Sequence, residues 1–351
     1  EKDVTRGRAR ILQEAANSQL VQAINSPEVL EALDLCLACK ACSADCPAGV
    51  DMARYRSEAL FRTYRGRMRP LSHYTLGWLP RLTRVTARVP GLAAVANAIM
   101  SVAPLRSLAF RIIGLDPRRG MPALQSGTVT AWARRRNLLA GSVPAGDAAS
   151  SFTATSSTAA PAAATSAAAT SAAATDARER GGTPASSDSA RERGGATASS
   201  MADSPILSGP RDPRGRPYAL VWADSFSQTL DGAGARAVVD VLEANGFAPI
   251  VAPDACCGLT WITTGQLTGA KKHLASLLGV LAPFAAAGIP IVGVEPSCTA
   301  VLRDDLVDLL PEDPRSMLVS GATHTLAEVL AAVPESSRNL PSLEGVEIVA
   351  Q

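Results

Sequence analysis

The apolar residues of the last third of the chain fall into short continuous runs that alternate with longer amphipathic stretches. Three runs, YALVWA from Tyr218, API from Ala248 and IPIVGV from Ile289, have the length and composition of buried strands. The predicted helices cover 232–245, 265–282, the residues after Cys298 and those near His324. Strands that alternate with helices in this way predict a small parallel sheet wrapped by helices.

Two apolar stretches, the first of which includes the run from Ile289, raise the question of a membrane span. The uncharged run ASLLGVLAPFAAAGIPIVGV, from Ala275, has sufficient length, but Pro283, Gly288 and Pro290 divide it into a helix end, a turn and a short strand. The second stretch, GLAAVANAIMSVA from Gly91, is too short to span and predicts a buried or interfacial helix. We therefore expect no transmembrane helix in either place.

Between these regions the composition changes sharply. Residues 141–216 are mostly Ala, Ser, Thr, Gly and Pro, with AAATS recurring from Ala162 and ARERGG appearing at Ala177 and again at Ala190. Such a segment cannot bury enough apolar surface to offset its conformational entropy. It predicts a long disordered linker.

The linker separates two regions of opposite charge, which the formal net charge of +2 conceals. Residues 1–137 carry 21 Lys/Arg and 10 Asp/Glu, whereas residues 217–351 carry 6 and 15. This asymmetry suits docking between the regions, or a basic surface that faces an acidic partner or anionic lipid. Solvated arginines on helix faces are the alternative explanation. Nucleic acid is not expected as a partner, because no recognised binding motif accompanies the arginines.

The cysteines give the sharpest chemical signal. Seven in 351 residues are too few for a disulfide-rich secreted protein, and the charged amino end has no signal peptide, so a reducing cytoplasm is expected. Four of them, followed by Pro47, have the spacing C-x2-C-x2-C-x3-C-P: Cys36, Cys39, Cys42 and Cys46. A zinc site normally separates two C-x2-C knuckles by a dozen or more residues. The spacing therefore predicts a 4Fe–4S cluster.

A single run of this kind leaves the number of clusters open. In two-cluster ferredoxins the fourth cysteine of each run binds the other cluster. Either all four thiolates hold one cluster, or Cys36, Cys39 and Cys42 hold it and Cys46 serves a neighbouring cluster outside this chain. The chain begins at Glu1 rather than Met, from which we expect a piece of something longer and favour the second arrangement.

The remaining cysteines follow predicted strands. Cys256 and Cys257, in ACCGLTW, come after the second strand, and Cys298, in VEPSC, comes after the third. All three are expected at the carboxyl edge of the sheet, where open α/β sheets bind ligands, and Gly258 would allow close backbone approach. Three buried structural cysteines are the alternative.

The ordered motifs TRGRARILQEA, ALDLCLACKACSADCPAGVDMARYRSEAL, RMRPLSHYTLGWLP, GLDPRRGMP, ACCG and VEPSC resemble a known family. They are similar to the carboxy-terminal half of fused FAD-linked oxidases of the D-2-hydroxyacid dehydrogenase type, which includes enzymes acting on D-lactate, glycolate and D-2-hydroxyglutarate. ACCG and VEPSC also resemble the cysteine-rich CCG domain of heterodisulfide reductases. The chain departs from the family in its long linker and in Asp224, the nearest residue to an expected first cysteine.

The resemblance implies an α+β chain with three parts: a mainly helical, ferredoxin-like 4Fe–4S module over 1–140, the linker, and a first CCG domain over 217–351. It implies an oxidoreductase whose FAD lies in another domain or subunit, with this region inactive alone and relaying electrons to a downstream, membrane-associated acceptor. It implies a second iron–sulfur or metal site at Cys256, Cys257 and Cys298, and a protein that is cytoplasmic or peripheral at the inner face of the cell membrane. A stand-alone iron–sulfur subunit of a separate flavoprotein or heterodisulfide-reductase-like complex remains the alternative.

Overall fold

The structure is a computed structural model that describes residues 4–17, 26–46, 49–113, 116, 118, 122–141, 204–340 and 345. The described residues belong to one compact unit. Most of the predicted linker, residues 142–203, lies outside them. Residues 204–216, which the composition also assigned to the linker, form turns in which Asp212 accepts hydrogen bonds from Arg214 and Arg216.

In the first part of the chain, the described residues form helices joined by loops and turns. Several helices begin at polar capping residues: the side chains of Ser26, Asp51 and Thr128 accept hydrogen bonds from the first backbone N–H groups. The helices are α1 Thr5–Asn17, α2 Pro27–Asp34, α3 Ala41–Asp45, α4 Met52–Thr63, α5 Leu71–Gly77, α6 Leu79–Arg88, α7 Leu92–Ser101, α8 Ala103–Ile113 and α9 Val129–Arg135.

The second part contains a four-stranded parallel sheet with the strand order β2-β1-β3-β4. The strands are β1 Tyr218–Trp222, β2 Ala248–Val251, β3 Ile291–Gly293 and β4 Thr323–His324. β1 is central, with Leu220 opposite both Ile250 and Ile291. A central strand that is buried on both faces explains why its sequence is continuously apolar rather than alternating.

Helices connect the strands. They are α10 Ser225–Thr229, α11 Gly232–Ala244, α12 Leu259–Thr263, α13 Leu267–Ala286, α14 Pro296–Ala300, α15 Leu306–Leu309, α16 Pro314–Ala322 and α17 Leu326–Ala332. A π-helical turn, Val301–Asp305, links α14 to α15, and a 3-10 turn, Glu335–Ser337, follows α17.

Two apolar clusters cover the two faces of the sheet. Alternate residues of β1 point to opposite sides: Leu220 and Trp222 enter one cluster with α13, and Ala219 and Val221 enter the other with α11. Residues from the amino-terminal part join both clusters, since α9 packs into the second and Ala140 into the first. Residues 129–140 therefore help to build the core around the sheet.

These observations confirm a mixed helical chain with a small parallel sheet. Two details differ from the sequence predictions. α13 continues through Pro283 to Ala286, because a proline near a helix end removes few hydrogen bonds, and His324 lies in β4 immediately before a helix. The ferredoxin-like character of the helical part and the predicted domain boundaries stay predictions.

No single helix in the described ranges is long and apolar enough to cross a membrane. One helix pair, Leu92–Ser101 with Ala103–Ile112, satisfies the length and composition criteria jointly, but its two members are bent by 100°.

Candidate functional site

The four clustered cysteines lie on a loop and short helix between α2 and α4. The loop turns sharply because Ala38 and Lys40 both adopt left-handed backbone conformations, with φ of 56° and 60°. α3 then carries Cys42, and Cys46 ends it. The backbone N–H of Met52, at the start of α4, donates a hydrogen bond to Cys42 Sγ over 3.3 Å.

The cysteine loop is open to solvent and chemically suited to bind a metal cluster. Cys39 is exposed and the other three thiols are half-buried, while the neighbouring Leu37 is 90% exposed. No disulfide joins any of the seven cysteines, all of which lie in the described part of the chain. Four thiols on a turned loop with a backbone N–H donor to sulfur match the donor chemistry of iron–sulfur sites. Across the described residues, however, no three His, Cys, Asp or Glu side chains are arranged as a metal site. Cluster binding at Cys36, Cys39, Cys42 and Cys46 stays a prediction.

Lys40 connects the cysteine loop, residues 36–46, to the sheet domain, residues 204–340. Its ammonium group lies 2.9 Å from Asp305, 3.7 Å from Asp51 and 3.8 Å from Asp304, and its side chain is only 16% exposed. The 2.9 Å contact is an ion pair without the geometry of a hydrogen bond. Burial lowers the pKa of Lys40, but the surrounding carboxylates outweigh it and raise the pKa. Burial raises the pKa of Asp305, and the carboxylates of Asp51 and Asp304 raise it further. Lys40 lowers this pKa, but the net shift is upward.

The second group of cysteines meets at the carboxyl edge of the sheet, as their positions after strands β2 and β3 predicted. Cys257 Sγ lies 3.2 Å from Cys298 Sγ, and the Gly258 N–H donates to Cys256 Sγ over 3.4 Å. All three thiols are buried. Gly258 has φ of 75° and begins α12, which lets the chain turn away directly after the cysteine pair.

Cys256, Cys257 and Cys298 form a thiol pocket, and two carboxylates that lie near Cys298, those of Asp224 and Glu295, cap helices. Asp224, fully buried at the end of β1, caps α10 by accepting hydrogen bonds from Phe226 N, Ser227 N and Ser227 Oγ. Glu295 caps α14 by accepting from Cys298 N over 2.6 Å. Because these donors occupy the Asp224 carboxylate, it is not available in this arrangement to replace a missing cysteine.

The surroundings of the pocket raise the pKa of all three thiols. The contact with Cys257, together with burial, raises the pKa of Cys256. The contact with Cys256 lowers the pKa of Cys257, but Cys298 and burial raise it more, and the net shift is upward. The contact with Cys257 lowers the pKa of Cys298, but burial and the carboxylates of Asp224 and Glu295 raise it to about 11. A metal ion binding here would have to displace these protons.

The two chain segments that follow the buried cysteines, one after Cys257 and one after Cys298, both contact the amino-terminal, helical part of the chain. α12, which begins just after Cys257, touches α4 and α5. Arg69 donates hydrogen bonds of 2.7 Å to the carbonyls of Thr264 and Gly265, and Arg56 donates one of 2.8 Å to Thr263 O. The π-helical turn that follows α14, and therefore Cys298, carries Asp305, the partner of Lys40. Contacts of α4, α5 and Lys40 thus join the helical part of the chain, including the cysteine loop, to the segments that follow Cys257 and Cys298.

Sequence reasoning did not identify Lys40 or Asp305 as site residues. Lys40 stands between Cys39 and Cys42, and Asp304 with Asp305 follows VEPSC closely, so each lies beside a motif. Nothing in the sequence pairs them, because they are 265 positions apart.

Comparison with known proteins gives partial matches. The chain is 23% identical over 311 residues to D-2-hydroxyglutarate dehydrogenase of Escherichia coli (strain K12), which covers 88% of this chain and 24% of that protein. Enzymes of the same name from Pantoea ananatis (strain AJ13355) and Pseudomonas putida are 39% and 42% identical over 67 and 76 residues. Those matches cover 19% and 21% of this chain and 7% of each relative. No protein-family model matches the chain, and no solved structure matches it.

The relatives are oxidoreductases by name, and the chain spans about a quarter of the length of the first of them and less of the other two. These matches are consistent with a region of such a dehydrogenase.

Proposed function

We propose that this chain is the iron–sulfur electron-transfer region of an FAD-dependent D-2-hydroxyacid dehydrogenase. The observation that carries the proposal is the turned, solvent-open loop with the C-x2-C-x2-C-x3-C spacing, held by direct contacts against the domain of the buried thiols. The names of the partial relatives support the class of enzyme. The FAD and the substrate site would lie in another domain or subunit.

Within this proposal, Cys36, Cys39 and Cys42 hold a 4Fe–4S cluster, and Cys46 holds a neighbouring one. Such clusters carry one electron at a time between a flavin and an acceptor. The chain's own residues shape the loop: Ala38 and Lys40 turn it through left-handed backbone conformations, and the Met52 N–H donates a hydrogen bond to the sulfur of Cys42, which would also be available to a bound thiolate.

Cys256, Cys257 and Cys298 form part of a second metal or thiol site in this proposal. Support comes from their contact at the sheet edge and from the contacts that join their flanking segments to α4, to Arg69 and to Lys40 of the cysteine loop. The exposure of Cys39 and Leu37 leaves one side of the loop available for a partner, either the flavin domain or a downstream acceptor.

Reconstitution with iron and sulfide under anaerobic conditions tests the cluster assignment. We expect broad absorbance near ~400 nm, characteristic of thiolate-bound iron, and stoichiometric sulfide. Cys39→Ser should lose most of both. Ala41→Ser, at an exposed position of the same loop, is the matched control and should retain them. Cys46→Ser should lose less than Cys39→Ser. Bound zinc without sulfide would overturn the assignment.

Joining the chain to its flavin domain tests the relay. The isolated chain should not oxidise D-lactate, glycolate or D-2-hydroxyglutarate, because hydride removal belongs to the flavin. In the joined enzyme, Cys36→Ser should slow electron transfer to the acceptor while flavin reduction by substrate stays unchanged, as measured by stopped-flow absorbance. Equal slowing of both steps would contradict an electron-relay role.

A further inference from the structure

Three successive helices carry stripes of large apolar side chains on their exposed sides. In each of α6, α7 and α8 these residues follow the spacing i, i+3, i+7. The last residue of the α6 set is the capping residue that follows the helix. Their exposed fractions run from 36% to 63%, and the residues are Leu82, Val85 and Val89, then Leu92, Val95 and Ile99, then Leu105, Leu108 and Ile112. Residues at this spacing lie on one face of a helix.

The inward sides of these helices are less apolar than the outward sides. α6 buries Thr83 and Ala87, α7 buries Ala93, and the largest buried residue among them is Phe110 of α8. A surface helix of a globular protein normally shows the reverse pattern, with its large aliphatic residues facing the core. Many exposed large apolar side chains on neighbouring helices indicate a site of interaction with a protein or a membrane.

The charged residues of the segment that carries the stripes are all arginines, two of which, Arg84 and Arg88 of α6, lie near Asp254 of the second part of the chain. Residues 59–115 contain no Asp or Glu, and their charged residues are Arg62, Arg65, Arg67, Arg69, Arg81, Arg84, Arg88, Arg106 and Arg111. Some of these arginines, such as Arg69 and Arg84, contact the sheet domain. Within the described part of the chain, Arg106 and Arg111 of α8 form no ion pair with Asp or Glu. Arg111 is exposed, whereas Arg106 is half-buried with its Nε shielded from solvent.

We propose that α6, α7 and α8 bind the surface of an anionic lipid bilayer and lie in its interfacial plane. The aliphatic stripes would enter the acyl boundary, and the arginines would meet the headgroup phosphates while their stems stay in contact with apolar surface. Trp78, 45% exposed just before α6, has the amphipathic ring that favours this depth. The absence of acids through residues 59–115 matches an anionic bilayer in particular. The proposal does not depend on the electron-transfer function.

Sedimentation of the full chain with lipid vesicles tests the proposal. Vesicles of phosphatidylcholine mixed with phosphatidylglycerol should carry the protein down at low salt, and pure phosphatidylcholine vesicles should carry much less. Val95→Asp/Leu108→Asp should weaken partitioning at least about tenfold, because two aliphatic side chains no longer enter the bilayer. The matched control is Met317→Asp/Leu318→Asp, which adds the same charge at exposed apolar positions of α16. It should sediment like the unmodified chain.

A second variant guards against misfolding of the first. Arg106→Gln/Arg111→Gln removes two charges that pair with no acid among the described residues and adds none, and it should reduce binding to the anionic vesicles and its salt sensitivity while leaving circular dichroism unchanged. No binding of the unmodified chain to anionic vesicles would overturn the proposal. Size-exclusion chromatography gives a second contrary outcome. If the unmodified chain elutes as an oligomer and the Val95→Asp/Leu108→Asp variant elutes as a monomer, the stripes are an interface between copies and the proposal is wrong.

Discussion

Replacing Lys40 by methionine should destabilise the contact between the cysteine loop and the sheet domain. The ammonium group is the cation shared by Asp305, Asp51 and Asp304, at 2.9, 3.7 and 3.8 Å. Methionine keeps much of the length and the apolar stem of lysine, so the substitution removes the charge with little loss of packing. The carboxylates would then lie together without a counter-charge.

The expected magnitude follows from burial. The side chains of Lys40 and Asp305 are 16% and 10% exposed, so the pair is poorly screened, and removing one partner of such a pair costs about 3 kcal/mol. Arg54 and Asp308 also lie 2.9 Å apart and join the same two parts of the chain, but they are 61% and 38% exposed. Arg54→Met should therefore cost less than about 1 kcal/mol.

Chemical denaturation of the metal-free chain measures both effects. A double-mutant cycle with Lys40→Met and Asp305→Leu should give a coupling free energy of about 2 kcal/mol, because the double variant removes the stranded carboxylate of Asp305 with its partner. A coupling below about 0.5 kcal/mol, or equal destabilisation by Lys40→Met and Arg54→Met, would refute the conclusion that burial sets the strength of this contact.

Three further outcomes are expected. Gly265→Ala should destabilise the chain by about 2 kcal/mol or more in thermal unfolding, because its Cβ would lie 2.5 Å from a Cβ of α4, whereas Gly66→Ala has open space and should cost only about 1 kcal/mol for its positive φ. The bidentate contact with Arg303 lowers the pKa of Glu328 to about 2, so its stabilisation is present above the ordinary pKa of 4.5 and lost as pH falls through about 2. Glu328→Gln should therefore cost about 1 kcal/mol at neutral pH, discounted for solvent exposure, and almost nothing near pH ~2. In metal-free protein, iodoacetamide should modify exposed Cys39 much faster than buried, protonated Cys298, and mass spectrometry that found equal rates would contradict the pocket geometry.

The elements that were predictable from the sequence are those with a local signal. The strands from Tyr218, Ala248 and Ile289 are continuous apolar runs, and the position of Cys257 and Cys298 after such runs places them at one sheet edge. β4 has only two residues, Thr323 and His324, and therefore has no apolar pattern to detect. Its pairing with β3 depends on contacts that the chain makes only when folded.

The contacts of the cysteine loop with the sheet domain were less predictable, because they depend on which acidic side chain the fold brings next to Lys40. The net charges of the two regions favour attraction, but the 15 acidic residues of 217–351 look alike in the sequence, and only the fold brings Asp305 to Lys40. Arg56 and Arg69 also join the two parts of the chain, by donating hydrogen bonds to the backbone carbonyls of residues 263–265. Backbone carbonyls carry no net charge, so a count of charged residues does not predict these contacts.

The charge asymmetry therefore has two separable consequences in this molecule. Contact within the chain uses a few desolvated groups, such as the pairs of Lys40 with Asp305 and of Arg84 with Asp254, in which no side chain is more than 18% exposed. Such pairs resist screening by salt, whereas a long-range attraction between two net charges does not. Arg106 and Arg111, which pair with no Asp or Glu in the part of the chain that the structure describes, take no part in that internal contact. Their charge is then available to an external anionic surface, and only that interaction should be strongly sensitive to salt.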